Sequence, residues 1–436
     1  MRNIKNITSS LSIAAISLVS FGSHAATNLN TEKNKNAEQD KWQFEGSILG
    51  YSETSRVSAL EAIFAAKYQI DTDQSWSGKF TLDALTGSSP NGAIETSKDQ
   101  VFTSASGNSH TVTQGSMPDT PGFKDTRVAI NTNWQKRLSS EVDMTLGFNI
   151  SNEYDYRSLG ISGLFAFDTN NKNTTYSIGG AFNDDTIDPV GGVRKGLALM
   201  TNAGTAQPVV GSTEKKTTMD AIFGVSQVID KNSLFQLNYS YSRSSGYHTD
   251  PYKVVSIVDP NTGVVVEQDP LTNLSKVIYE NRPDTRTQNA FYGLYKTTVQ
   301  EKDVFEISYR FMTDDWAINS HTIDSRYRFK FGKSFLRPHL RYYQQSKADF
   351  FEVFVKDGAE PTNNKSQFIS ADYRLGDLVT YTIGLEYGRD VSTPWSVALE
   401  YYLQQPKEPS GKFGDLQNRT LLKDVDAIMV RALYKF

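Results

Sequence analysis

A chain of 436 residues would ordinarily divide into two or three soluble domains. Its formal net charge of −4 denies it the basic footprint that nucleic acids require, and the absence of cysteine removes disulfides, thiolate metal sites and cysteine nucleophiles together. Past the first residues no run approaches the roughly 18 apolar residues of a membrane helix, so a helical membrane protein is excluded as well.

The chain opens with Arg2 and Lys5 ahead of an apolar run from Leu11 to Phe21 that closes on Ser23-His24-Ala25. A charged start, a short apolar stretch and a small-x-small site predict a cleaved signal peptide over residues 1–25. The stretch is too short to cross some 30 Å of hydrocarbon as a helix. Residues 26–40 hold almost nothing apolar to bury and predict a disordered periplasmic lead-in.

From residue 41 to 436 the pattern changes to strict alternation, with one face apolar each time. Trp76, Gly78, Phe80, Leu82 and Ala84 alternate with Ser77, Lys79, Thr81 and Asp83, and Val142, Met144, Leu146, Phe148 and Ile150 with Asp143, Thr145, Gly147 and Asn149. The same period runs through Phe235 to Tyr241, Phe305 to Phe311 and Val379 to Tyr387. Short connections (71–74, 136–139, 168–173, 230–232, 300–302, 332–333) alternate with long ones (87–124, 184–215, 246–286, 347–376). Soluble sandwiches do not usually show that asymmetry, whereas outer-membrane barrels place short turns in the periplasm and long loops outside. The fold expected is therefore all-β, a transmembrane antiparallel up-and-down β-barrel. Parity favours sixteen strands, with 366–374 assigned to a loop and the last strand near 422–436. Trp42, Trp76, Trp134 and Trp395 are expected in interfacial girdles.

In the last strand Ile428, Val430, Ala432, Tyr434 and Phe436 alternate outward, and the chain stops on an aromatic. Tyr434 and Phe436 resemble the C-terminal signal that the outer-membrane assembly machinery reads. Further resemblance lies in Asp83-Ala84-Leu85-Thr86-Gly87-Ser88-Ser89-Pro90-Asn91-Gly92-Ala93, preceded by Tyr51-Ser52-Glu53 and Arg56-Val57, with Ala371-Asp372-Tyr373-Arg374-Leu375-Gly376 and Leu399-Glu400-Tyr401-Tyr402. Together these look like the bacterial domain-of-unknown-function family numbered 3570, outer-membrane proteins by expectation. The resemblance implies location and fold over nearly all of the mature chain, with no activity to carry over. It also implies a link to periplasmic redox proteins and flavin-attaching enzymes, and so to respiratory work at the cell surface.

Alternation forces charge inward on the late strands. Outward Ile323, Tyr327, Phe329 and Phe331 turn Asp324, Arg326, Arg328 and Lys330 to the lumen, and outward Leu336, Pro338, Leu340 and Tyr342 do the same for Arg337, His339 and Arg341. An Arg or Lys on the lipid face near the midplane costs about 2 to 4 kcal/mol, which enforces the arrangement. Glu306, Arg310, Glu386, Glu400, Arg431 and Lys435 add both signs. One reading is a charge filter favouring anions, the other a salt-bridged network that braces the wall.

Other chemistry is weakly signalled. His110 and His248 fall in long loops and His321 has Ser320 beside it, but no motif joins any of them to a nucleophile, so a barrel-embedded hydrolase is discounted. Asp184, Asp185 and Asp188, or Asp250, Asp259 and Asp269, match no EF-hand spacing and read as solvated loops. The expectation is a porin-like channel of the cell outer membrane for small hydrophilic, anionic solutes, with no catalytic residue, metal or cofactor. Its partners would be outer-membrane lipid, the assembly machinery and the solute, with homo-oligomerisation left open. The alternative is a non-channel scaffold whose loops engage an envelope redox partner.

Overall fold

The computed structural model describes residues 41–54, 56–120, 122–300, 302–361 and 367–436; the expected signal peptide and lead-in lie outside them. Sixteen strands close into one antiparallel barrel. In chain order they are β1 (Trp42–Glu53), β2 (Val57–Gln69), β3 (Gln74–Gly87), β4 (Phe123–Ser139), β5 (Val142–Asn152), β6 (Tyr156–Thr169), β7 (Thr174–Ile187) and β8 (Glu214–Val228). The second half comprises β9 (Ser233–Gly246), β10 (Thr285–Val299), β11 (Asp303–Asp314), β12 (Asn319–Phe331), β13 (Ser334–Gln345), β14 (Leu378–Arg389), β15 (Trp395–Pro406) and β16 (Val425–Lys435). Each strand pairs with its sequence neighbours, and β1 pairs with β16 to remove the last free edge. Phe44 and Phe436 exchange both backbone hydrogen bonds at 3.0 Å, so the C-terminal residue completes the closure.

The period of two sorts the surface as the sequence requires. Outward Phe329, Leu340, Ile383 and Leu399 are exposed, while their inward neighbours are polar and partly or wholly covered. A belt of exposed apolar side chains this continuous is a surface for hydrocarbon, not water. Trp42, Trp76, Trp134 and Trp395 all lie toward the short-turn end, at the starts of β1, β3 and β15 and late in β4.

Several boundaries differ from expectation, among them β7, which runs on to Ile187 although 184–215 is expected as a loop. Strand β4 continues through Ser139, so its turn is only Ser140 and Glu141 where 136–139 had been read as the connection. Strand β16 starts at Val425 and not near residue 422, because Leu421 and Leu422 are buried in loop packing. Residues 367–377 hold isolated bridges and a short 3-10 turn (Tyr373–Leu375) instead of a barrel strand, in keeping with the count of sixteen.

The larger departure is in the long loops, which are folded. Val254–Val258 pairs antiparallel with Val277–Tyr279 and parallel with Phe354–Lys356, joining two loops in one small sheet. Gln100–Thr103 pairs with Ser109–Val112 and with Leu274–Ser275, joining a third. Ile94, Val258, Trp316, Phe350, Phe351, Leu416 and Leu421 share an apolar core with Ala290 and Met312, which face inward near the rim of β10 and β11. Loops rising from distant points of the ring meet in one core only by folding inward, so they form a cap over that mouth.

The assignment of faces is testable with matched variants in lipid vesicles. Outward Leu399→Arg is expected to lower unfolding stability by about 2 to 4 kcal/mol, and inward Ser240→Arg by much less. Equal losses in reversible urea unfolding would reject the assignment.

Candidate functional site

The inward face of β10 to β16 carries the charge. The structure places Glu306 and Arg310 of β11, Asp324, Arg326, Arg328 and Lys330 of β12, Arg337, His339 and Arg341 of β13, Glu386 of β14 and Glu400 of β15 there. Register sets them in levels. Nearest the short turns, Arg337, Glu386, Ala398 and Arg431 align; above them come Glu306, Arg326, His339, Gly384 and Glu400. The third level is Ser308, Asp324, Arg341, Thr382 and Tyr402, and the fourth, just beneath the cap, is Tyr292, Arg310, Thr322, Tyr343, Thr380 and Gln404.

The lower charges neutralise one another. Arg337 Nε donates to Glu386 Oε2 at 3.0 Å, and Arg431 lies 3.6 Å from the same oxygen. Lys296 pairs with Glu306 at 2.6 Å, and Arg328 and Lys330 share Asp390 in the turn after β14 at 2.6 and 3.2 Å. His339 bridges two carboxylates, Asp324 at 2.8 Å and Glu400 at 3.0 Å, and both ring nitrogens therefore act as donors. That bridge spans β14 only because Gly384 lies between: a Cβ there would stand 2.8 Å from Glu400 Cγ. Asp390 and Lys296 are not among the sequence candidates, Asp390 because a turn residue carries no periodic signal; the pattern does turn Gly384 inward, but a missing side chain gives no sign of the bridge it admits.

The upper charges are not matched. Among the described residues, Arg310 and Arg341 make no ion pair and no side-chain hydrogen bond. Arg341 is exposed although it faces inward, so solvent space reaches it inside the barrel. A cavity of about 560 Å³ lined by Lys67, Gln135, Arg137, Asp143, Asp168 and Thr175 opens the short-turn end. The wall of β5 to β9 turns Gly147, Gly160, Ser162, Ser177, Gly179 and Ser240 inward together with Asp143, Asp168, Asp185, Lys216 and Asp220, and on β2 to β4 Arg127 pairs with Glu61 and Asp83.

The cap holds a second constellation that the sequence reading did not find. Asp250, Lys253, Glu280, Arg282, Asp372 and Arg374, three charges of each sign, lie together, Asp250 and Arg374 partly covered and the other four buried. Arg282 reaches Glu280 at 2.7 Å and Asp372 at 2.8 Å, Arg374 Nε donates to both Asp372 oxygens, and Glu280 accepts the Asp250 N–H at 2.6 Å. Lys253 donates to Ser89 Oγ at 3.2 Å and to the Pro90 carbonyl, tying in the first long loop. Gly92 lies so close that a Cβ would meet the Val254 carbonyl at 2.4 Å. Nearby, Arg56 stacks on the Tyr373 ring and Tyr51 donates to Glu53. Residues 51–57, 89–92 and 371–376, which carry much of the family resemblance, thus meet at the junction of cap and barrel, whereas Leu399–Tyr402 lies lower in the barrel wall. Burial alone would raise the Asp250 carboxyl, but Lys253, Arg374 and Arg282 outweigh it and hold it at about 2; Asp372 is held well below the usual range in the same way. Burial pushes Glu280 up.

The remaining candidates separate. His321 points outward and bonds the Tyr309 hydroxyl at 2.7 Å, while Ser320 points inward, so the two do not meet. His248 does meet a hydroxyl: its Nε2 is 2.7 Å from Ser244 Oγ and its Nδ1 2.9 Å from the Gly246 carbonyl. Burial and then Lys216 lower it to about 4, and the pocket beside it holds only about 40 Å³. His110 lines a cavity of about 430 Å³ under the cap together with Phe102, Phe123, Tyr252 and Arg194. Asp184 and Asp185 face opposite sides of β7, and Asp185 pairs with Lys216 at 3.3 Å. Asp250, expected to be solvated, is partly covered, whereas Asp259 and Asp269 cap their own turns. Three carboxylates that spacing did not reveal, Asp125, Glu153 and Asp155, place oxygens within 4.8 Å of one another, with Tyr252 donating to Asp155 at 2.9 Å.

Arg282→Met should cost the cap about 3 to 5 kcal/mol by stranding Glu280 and Asp372, read as faster proteolysis within residues 247–284. Acid should act differently. Depressed carboxyls lend stability that is complete above about pH 4 and lost as pH falls through about 2, while protonating Glu280 costs the folded cap nothing. The cap should therefore resist protease at pH 4 and open near pH 2; opening already at pH 5 would contradict this clamp.

Among solved structures, the chain is similar to the siderophore receptor PirA from Acinetobacter baumannii (8% identity, 86% of this chain, 54% of that chain, TM-score 0.42). It is also similar to OccK5 (OpdH) of Pseudomonas aeruginosa (8%, 91% and 97%, TM-score 0.40) and to a loop L8 deletion mutant of OmpT, an outer membrane protein of Vibrio cholerae (8%, 91% and 98%, TM-score 0.38). It spans about half the length of the siderophore receptor. No curated protein matches the sequence. The family described as "Protein of unknown function (DUF3570)" matches residues 8–436, almost the whole chain, and the chain belongs to that family.

Proposed function

We propose that this protein resides in the outer membrane of a Gram-negative cell and passes small hydrophilic solutes along its lumen, with a preference for anions. The observation that carries the reading is Arg341: inward-facing, exposed and without an ion pair among the described residues, it presents net positive charge to water inside a barrel whose outside suits lipid. Sixteen strands enclose more space than side chains need to fill, whereas eight do not. In this reading the short turns lie in the periplasm and the cap outside, lipid and the assembly machinery are partners, and copies of the chain are free to associate. The reading assigns no cofactor and no catalytic role.

A second reading is favoured by the apolar core of the cap, which roofs the mouth. In that case the barrel is a scaffold whose loops engage a surface partner, a redox protein by the family's expected association.

Planar-bilayer recording separates the two. The channel reading expects discrete currents with an anion-selective reversal potential, and replacing Arg326, Arg328, Arg337 and Arg341 by Gln should move that potential toward cations. Unchanged selectivity would reject the basic wall, and a silent barrel would reject the channel in favour of the scaffold.

A further inference from the structure

We infer that Arg310 and Arg341 form a binding site for the oxyanion group, carboxylate or phosphate, of a small hydrophilic solute. The inference rests on the reading of the lumen as a solute path for how the ligand arrives, and goes beyond it in naming a discrete site.

The site stands on what the wall does with its other cations. Arg326, Arg328, Lys330, Arg337, Arg431 and Lys296 each have a carboxylate within 4.0 Å, and His339 has two. Arg310 and Arg341 have none among the described residues. Asp324, level with Arg341 on the adjacent strand, is already engaged by His339 at 2.8 Å and Arg326 at 3.5 Å. The residues paired with Arg310 on its two neighbouring strands are Tyr292 and Thr322, neither of them an acid. A guanidinium cannot shed its proton to escape this position, so its charge persists and calls for a counter-ion.

Register brings the pair together. Arg310 is level with Tyr343, and Arg341 lies two residues below Tyr343 on the same strand, so the two arginines are two strands and one level apart. With strands about 4.8 Å apart and a rise of about 3.4 Å per residue, their Cα atoms are separated by about 12 Å, a gap that two extended arginine arms close onto one small anion. The electrostatic field of each reaches the other. Around them the wall offers hydroxyls instead of acids: Thr322, Thr382, Tyr292 and Tyr343. A planar five-donor fork matches carboxylate and phosphate oxygens two at a time, and the hydroxyls suit the polar remainder of the solute.

The test uses the full chain folded into planar bilayers, with inorganic phosphate or succinate added to one side of a chloride bath. Wild type is expected to lose current as either probe is raised. The R310Q/R341Q variant should need at least about tenfold more probe for half-block, the scale of losing charge-assisted hydrogen bonds. Block by phosphate alone assigns phosphates, block by succinate alone assigns carboxylates, and either supports the site. R310K/R341K keeps the charge without the fork and should fall between; it also serves if the glutamine variant does not fold. Equal block of wild type and folded variants, or no block of wild type, overturns the site and leaves the channel reading standing. If wild type carries no current, the channel reading falls, and equilibrium dialysis of both probes against the detergent-folded protein decides the site: retention by wild type but not by R310Q/R341Q supports it, and no retention overturns it.

Discussion

One constraint governs the molecule: every backbone donor and acceptor in a sheet whose outside is apolar must be paired by another strand, which permits no edge. The meeting of β1 with β16, completed by Phe44 and Phe436, satisfies it. Once the ring is closed, the two sides of each strand have fixed destinations. Apolar side chains go to the belt, and every charge between the rims is delivered to the lumen whether or not a partner awaits it.

The lumen meets that delivery unevenly. Near the short turns the charges form ion pairs, and the pairs are made possible by neighbours of no charge, as Gly384 lets His339 and Glu400 bridge a strand. Beneath the cap two arginines are left among hydroxyls. A network that merely braced the wall would have no reason to stop one level short. In the proposed channel, bracing and selectivity are therefore not rival descriptions of one wall but roles divided between its lower and upper halves.

The cap follows different physics. Its charges are withdrawn from water, where an unpaired ion is costly and a matched set is tolerated. Three acids and three bases from two loops pair with one another, Lys253 ties in a third through Ser89, and an apolar core packs beside them. Removing any one member strands the charges it faces, so the set is tolerated only whole.

Alternation along the chain, the parity of the strand count, the outward apolar face and the inward charges were all determined by the sequence alone, since a period of two is local and a single residue states its face by its neighbours. Asp324, Arg326, Arg328 and Lys330 could be read this way because Ile323, Tyr327, Phe329 and Phe331 of the same strand take the opposite face. Only the tertiary structure decided which of those charges have partners, because that depends on register between strands, and a turn such as the one holding Asp390 has no period to betray it. The same holds for the cap. Lys253 finds Ser89 at a separation of 164 residues and Arg282 finds Asp372 at 90, so Asp250 looked like a solvated loop acid until distant segments were brought around it. Local periodicity writes the barrel into the sequence; partnership across the ring exists only once the ring has closed.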